Sequence, residues 1–156
     1  MESSRPDLLD GLAGHDAERV LALGSPVSLA SGQELFGIGA GADSLFVIDR
    51  GRIALTLPMQ VHGQEQDVLV EERLAGQTVG WSALIPPHRF TLKATATMDT
   101  EVIAFPRIAL LDHFGAHPAV GCVVMQNIAS VIGQRLQVFQ AMWLREVQRA
   151  VEVRLA

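Results

Sequence analysis

Between Val27 and Phe105 this chain never sustains an apolar run long enough for a helix, and glycine or a polar turn breaks every run it starts. Val27–Leu29, Leu35-Phe36, Leu45–Ile48, Ile53–Leu57 and Val68–Leu74 are short and β-prone. Between them lie Ser31-Gly32, then Gly37, Gly39 and Gly41, then Arg50-Gly51, then the polar stretch His62–Gln66, which reads as a loop. Phe90–Thr97 alternates, and Glu101–Phe105 is expected to pair with it across Met98-Asp99-Thr100. Strands this short with turns this frequent describe an antiparallel sandwich or barrel.

The flanks read differently. Leu8, Leu9, Leu12, Val20, Leu21 and Leu23 suit short helices over 7–23, with Asp16 as a cap and Gly24-Ser25-Pro26 as the stop. Pro106 suits the first position of a helix over Arg107 to Phe114, which Gly115 ends. Pro118 then opens a helix long enough to reach Leu155. Ile128, Ile132, Leu136, Phe139, Trp143, Val147 and Ala150 recur at spacings of three and four and form one apolar face. A small β unit cannot cover all of it, so the excess implies a partner, most simply the same helix of a second copy. The chain divides into a helical segment over 1–23, a β unit over 24–106 and C-terminal helices over 107–156.

A length of 156 residues suits a domain with a real core. Twelve Lys and Arg against 17 Asp and Glu give a net charge of −5, which argues against a broad electrostatic grip on nucleic acid or on an anionic membrane. Arg145, Arg149 and Arg154 alternate with Glu146 and Glu152, the pattern of a solvated helix face. The single cysteine, Cys122, excludes an internal disulfide framework and is expected in the core of the long helix. The N-terminus has no basic and apolar leader pattern, and the uncharged run Pro118 to Gln134 falls short of a membrane span. A soluble, cytoplasmic protein is expected.

Catalytic signatures are absent: no nucleophile elbow, HExxH, P-loop or convincing carboxylate pair occurs. Gly37-x-Gly39-x-Gly41 lacks the strand–helix setting of a dinucleotide site. His113 and His117 have i, i+4 spacing but no third metal ligand, and His88 is no better placed for haem. The chain is expected not to be an enzyme.

One pattern is more specific. Gly32-x-x-Leu35-Phe36-x-x-Gly39-x-x-Ala42-x-x-Leu45-Phe46-x-Ile48-x-x-Gly51 resembles the N-terminal signature of the cyclic-nucleotide-binding domain of the Crp/Fnr family. The resemblance continues through Gly76, Gly80 and Glu101–Ala104 to Gln134-Arg135-Leu136-Gln137, and covers roughly Leu23 to Met142. It implies a mainly β fold with flanking helices (α+β): a double-stranded β-roll of the jelly-roll kind with a long C-terminal dimer helix.

In that family a phosphate-binding cassette, here 76–97, reads Gly-Glu-Leu and then Arg-Ser/Thr-Ala. The Glu holds the ribose and the Arg the cyclic phosphate. This chain carries Gly80-Trp81-Ser82-Ala83, and Phe90-Thr91 at the Arg-Ser/Thr positions, with Arg89 one residue early. A one-residue slip along a strand reverses the face, so Arg89 is expected at the rim of the pocket. Losing the Glu removes a charge-assisted hydrogen bond of about 1.5–3 kcal/mol.

The segment also looks like a divergent Crp/Fnr-like group with Gly-Trp-Ser-x-Leu-x-Pro-Pro-x-Arg-aromatic. The resemblance implies a sensor that binds a cyclic nucleotide or another small anionic or planar ligand. Gly80, Trp81, Ser82, Ala83, Arg89 and Thr91 would line one side, and Phe139 and Gln140 the other. Signalling would pass through a homodimer over helix 118–155 to a protein partner. The family's helix-turn-helix domain has no room before Ala156, so direct DNA binding is not expected. The alternative is a structural or interaction dimer whose pocket Trp81 has closed.

Overall fold

Glycine turns and short alternating runs build eight strands in the computed structural model, which describes residues 5–156. These are β1 (Ser25–Leu29), β2 (Glu34–Phe36), β3 (Ser44–Arg50), β4 (Arg52–Val61), β5 (Gln64–Leu74), β6 (Thr78–Val79), β7 (Lys93–Ala96) and β8 (Thr100–Pro106). They form two four-stranded antiparallel sheets, ordered β1-β8-β3-β6 and β2-β7-β4-β5. Leu45, Val47, Ile53, Leu55, Val102 and Phe105 are buried in the core of this β-roll. The helices are α1 (Gly14–Leu21), α2 (Arg107–Ala116) and α3 (Pro118–Leu155). The expected mainly β fold with flanking helices is the fold observed.

Several local expectations are corrected. β7 and β8 do not pair: β7 lies between β2 and β4, and β8 between β1 and β3. Residues 97–99 therefore carry the chain from one sheet to the other. The stretch His62–Gln66 is not a loop, because β4 and β5 form a long hairpin closed by His62-Gly63 alone. Both turn residues have positive φ, 51° and 77°, as a two-residue hairpin turn demands. Asp16 sits in the first turn of α1 and makes no cap; the cap position is Ala13. Gly115 lies within α2, which ends at Ala116. Cys122 is exposed.

Two features position the site. The first is a bulge in β5. Thr56 pairs with Leu69 and Leu55 with Glu71, so Val70 is the extra residue between them. Residues directly opposite share a face, and one inserted residue reverses the alternation that follows. The bulge therefore turns Glu71 and Arg73 toward the side of Leu55 and Ile53, where two charges are not expected.

The second is the course of α3. Its buried residues are Val120, Gly121, Val124, Ile128, Val131 and, last, Arg135. An N-terminal 3-10 turn, Asp7–Leu9, packs on this portion, and Asn127 Nδ2 donates to the carbonyls of Leu8 and Asp10 at 2.8 and 2.9 Å. Beyond Val138, the last α3 residue packed on the core, the helix leaves the roll and runs on for roughly 25 Å at 1.5 Å per residue. Leu136 is exposed just before that extension, and Trp143, Leu144, Val151, Val153 and Leu155 are exposed along it.

Candidate functional site

The cassette begins at a fixed point. Gly76, at φ +84°, donates to Ile48 O at 2.7 Å, and β6 pairs Thr78 and Val79 with Val47 and Phe46. Gly80 follows in the left-handed region, φ +80° and ψ 35°. A Cβ there would come within 3.1 Å of Phe90 Cε1 and 3.4 Å of carbons of Phe36 and Phe46. Conformation and space both select glycine at this position. The chain then makes a 3-10 turn, Trp81–Ala83, and passes Pro86-Pro87 to His88, whose Nδ1 lies 3.2 Å from Ser82 O. It rejoins the roll at Phe90, which donates to Ala40 O at 3.0 Å and accepts from Gly39 N–H at 2.7 Å.

The inward-facing side chains of this loop are aromatic where the family's cassette is charged. Phe90 is buried and stacks on Phe36, with ring centroids 3.7 Å apart and planes 10° apart. Phe46 extends the group, 6.0 Å from Phe36. Trp81 is half-buried against the core, Ser82 is buried, and both border a cavity of about 10 Å³ with Gly80 and Thr91. That volume holds about one water molecule. Leu55, Leu92, Phe36, Phe90 and Arg135 complete the walls.

The sequence-predicted residues are thus partly gathered. Gly80, Trp81, Ser82 and Thr91 meet at the cavity. Ala83 is fully buried in the core behind it. Arg89 is exposed, donates from Nη1 to Gly39 O at 3.0 Å and is not part of the cavity wall. Phe139 and Gln140 are exposed on α3, past its last buried residue, and contribute nothing to the cavity within one protomer.

The cation in the cavity wall comes from the helix instead. Arg135 is buried, and its Nε donates to Glu71 Oε2 at 2.6 Å. Glu71 is its only hydrogen-bond or ion-pair partner among the described residues, and its terminal amino groups are not among the buried unpartnered atoms, so water reaches them. The signal was present in the sequence: Arg135 lies four residues after Val131 and seven after Ile128, on the stripe that faces the roll. A charge on such a stripe is costly unless it is paired.

Glu71 and Arg73 were missed for a different reason. Strand alternation alone points them outward, and only the bulge at Val70 brings them in. Arg73 Nη1 donates to Glu71 Oε1 at 3.0 Å, and its Nη2 lies 3.3 Å from Asp7 Oδ2.

Elsewhere, His113 and His117 stack with ring centroids 4.4 Å apart, and no group of three or more metal-ligating side chains occurs among the described residues. Lys93 donates to Asp67 at 2.7 Å, and this hydrogen bond holds its ammonium pKa above the usual 10.5. No helix among the described residues is long and apolar enough to cross a membrane.

The fold thus joins an eight-stranded β-roll, a glycine-led loop beside a small cavity and a long helix next to it. The family model of the cyclic nucleotide-binding domain matches residues 26–117, more than half of the chain, and the protein belongs to that family. Solved structures agree on the fold. The catabolite activator protein of Thermus thermophilus is 22% identical with a TM-score of 0.73, over 91% of this chain and 63% of that one. The N-terminal domain of a transcriptional regulator from Streptomyces coelicolor is 22% identical with a TM-score of 0.70, over 83% and 91%. The c-di-GMP responsive global regulator CLP of Xanthomonas campestris is 16% identical with a TM-score of 0.75, over 85% and 64%. No curated protein matches the chain by sequence.

Proposed function

We propose that this chain is a non-catalytic, cytoplasmic sensor module that takes a compact anion, not a cyclic nucleotide, at Arg135 and Ser82. In this reading it works as a homodimer through α3 and passes the occupied state to a protein partner. The observation that carries the reading is Arg135: a guanidinium in the cavity wall, paired to Glu71 through Nε, whose solvent-reached amino groups meet no acceptor among the described residues. A cation so placed gains a charge-assisted hydrogen bond, about 1.5–3 kcal/mol, from an anion that replaces the water on its amino groups.

Against a nucleotide stand the cavity volume and the cassette. Pockets for drug-sized ligands run to about 300–1,000 Å³; this cavity, about 10 Å³, admits even a phosphate only if the half-buried Trp81 swings off it. Trp81 stands where the family places the ribose-binding Glu, and Phe90, locked against Phe36, where it places the phosphate-binding Arg. The dimer follows from α3, whose exposed Leu136, Phe139, Trp143 and Val147 recur at three- and four-residue spacing.

A second reading, an interaction dimer whose pocket is closed outright, has the same small volume in its favour. Thermal unfolding with added inorganic phosphate, cyclic AMP or cyclic GMP separates them. The sensor reading expects a saturable rise in Tm with phosphate and none with either nucleotide. A rise with none of the three, in a protein that sediments as a dimer, supports the closed-pocket reading.

A further inference from the structure

Phe36 and Phe90 border two spaces. Besides the cassette cavity they line an open depression of about 320 Å³, together with Leu35 and the half-buried Phe46. The rings are close to parallel: the plane of Phe36 lies 10° from that of Phe90 and 25° from that of Phe46. Near-parallel rings accept a further flat ring in offset or edge-on contact. Three of the chain's six phenylalanines gather here, and Phe46 stays half-buried, so the core does not use the whole group. The volume is at the low end of ligand pockets, about 300–1,000 Å³, and suits one ring with a short chain, not a fused dye.

Asp43 sets the charge of this space. It is the one ionisable side chain in the wall among the described residues, and it is 91% exposed. Arg107 Nη2 lies 3.7 Å from Asp43 Oδ1, a long surface pair of little strength, which leaves the carboxylate free to take a second donor. Arg89 and Arg107 are outside the wall, and each gives its Nη1 to a backbone carbonyl, Gly39 O at 3.0 Å and Ala42 O at 2.9 Å. An organic anion therefore meets Asp43 and no wall cation. An ammonium meets a carboxylate and phenylalanine rings, both of which attract it. The net charge of −5 works in the same direction.

We propose that this depression is a second ligand site, for a small aromatic amine whose flat ring lies against Phe36, Phe46 and Phe90 and whose ammonium donates to Asp43. The site is independent of the anion reading, since neither Arg135 nor Ser82 lines it. It does share a wall with the cassette. The Cβ position at Gly80 lies 3.1 Å from a ring carbon of Phe90 and 3.4 Å from ring carbons of Phe36 and Phe46. The turn that carries Trp81 thus rests on the same three rings, and a ligand that shifts them is felt at Trp81.

Calorimetry on the full chain with phenethylamine, hydrocinnamate and butylamine tests the site. Saturable phenethylamine binding is expected, with hydrocinnamate at least about fivefold weaker and no saturable binding of butylamine over the same range. Asp43→Asn is expected to weaken phenethylamine about fivefold, the loss of a surface charge pair. Equal affinity for the amine and the acid, or an Asp43→Asn protein that binds like the native one, overturns the choice of an amine. Butylamine that binds as tightly as phenethylamine overturns the ring contact.

Gly41→Leu fills the depression from its wall. Gly41 is not in the left-handed region and a Cβ there meets nothing within 4 Å, so the variant is free of strain. It is expected to weaken phenethylamine at least about tenfold. No saturable binding by the native protein, or binding that Gly41→Leu leaves unchanged, overturns the site. Trp81 reports the shared wall, because it is the sole tryptophan in Trp143→Phe. Its emission is expected to change and to saturate at the phenethylamine concentration that saturates the heat. Heat with no change in Trp81 emission overturns the link to the cassette and leaves the site standing.

Discussion

Replacing Phe90 by alanine tests the stack that fills the family's phosphate seat. Phe90 is 7% exposed, lies 3.7 Å from Phe36 ring to ring, and touches the space above Gly80. Removing its ring forfeits about 1.5–3 kcal/mol of burial. It also ends an aromatic pair of about 0.5–1.5 kcal/mol. The rigid surroundings, two sheet segments and a glycine turn, collapse little, so a loss of about 4 kcal/mol is expected, inside the usual range for buried Phe→Ala.

The same wall divides the cavity from an open depression of about 320 Å³ on its far side, to which Phe36 and Phe90 also contribute. The variant is therefore expected to join the two and to take up an apolar dye that the native protein excludes. Urea denaturation at fixed protomer concentration reads the first effect as a midpoint lowered by about 2 M at unchanged slope. A loss below about 1.5 kcal/mol, or no dye uptake, would refute the assignment of Phe90 as the cavity wall.

Three further outcomes follow from the geometry. Gly80→Ala combines left-handed strain of about 1–2 kcal/mol with crowding against three phenylalanines, so equilibrium unfolding should show a loss of at least about 2 kcal/mol. Trp143→Glu puts a charge on the extended apolar face of α3; sedimentation is expected to show a dimer for the native protein and a monomer for the variant, while circular dichroism keeps its β signal. Lys93 has its pKa raised by Asp67, so that pair stabilises the fold fully below pH 10.5 and loses its effect as pH rises through the folded value; the stability difference between native and Lys93→Met is expected to stay level up to about pH 10 and then shrink.

The architecture was legible because its causes are local. Glycines at turns with positive φ and strands of few residues specify a β-roll, and Pro118 with a sustained three–four period specifies α3. Strand partners were less legible. β7 and β8 are adjacent in sequence and look like a hairpin, but sheet membership is decided by which face packs inward, so they join different sheets.

At the site, Trp81 and Ser82 were readable from the glycine before them. Arg89 was expected at the rim, one residue before Phe90; its side chain is exposed and that of Phe90 is buried. Arg135 stood in view on the helix stripe. Glu71 and Arg73 were hidden by one inserted residue in β5, whose effect on alternation no pattern of apolar residues announces.

Titration calorimetry of inorganic phosphate and cyclic AMP into the native protein, Arg135→Met and Arg89→Ala bears most directly on the claim that the helix, and not the cassette, supplies the pocket's cation. The expected result is saturable phosphate binding by the native protein and by Arg89→Ala, none by Arg135→Met, and no heat from cyclic AMP in any of them. Micromolar cyclic AMP binding that survives Arg135→Met and is lost in Arg89→Ala would contradict it.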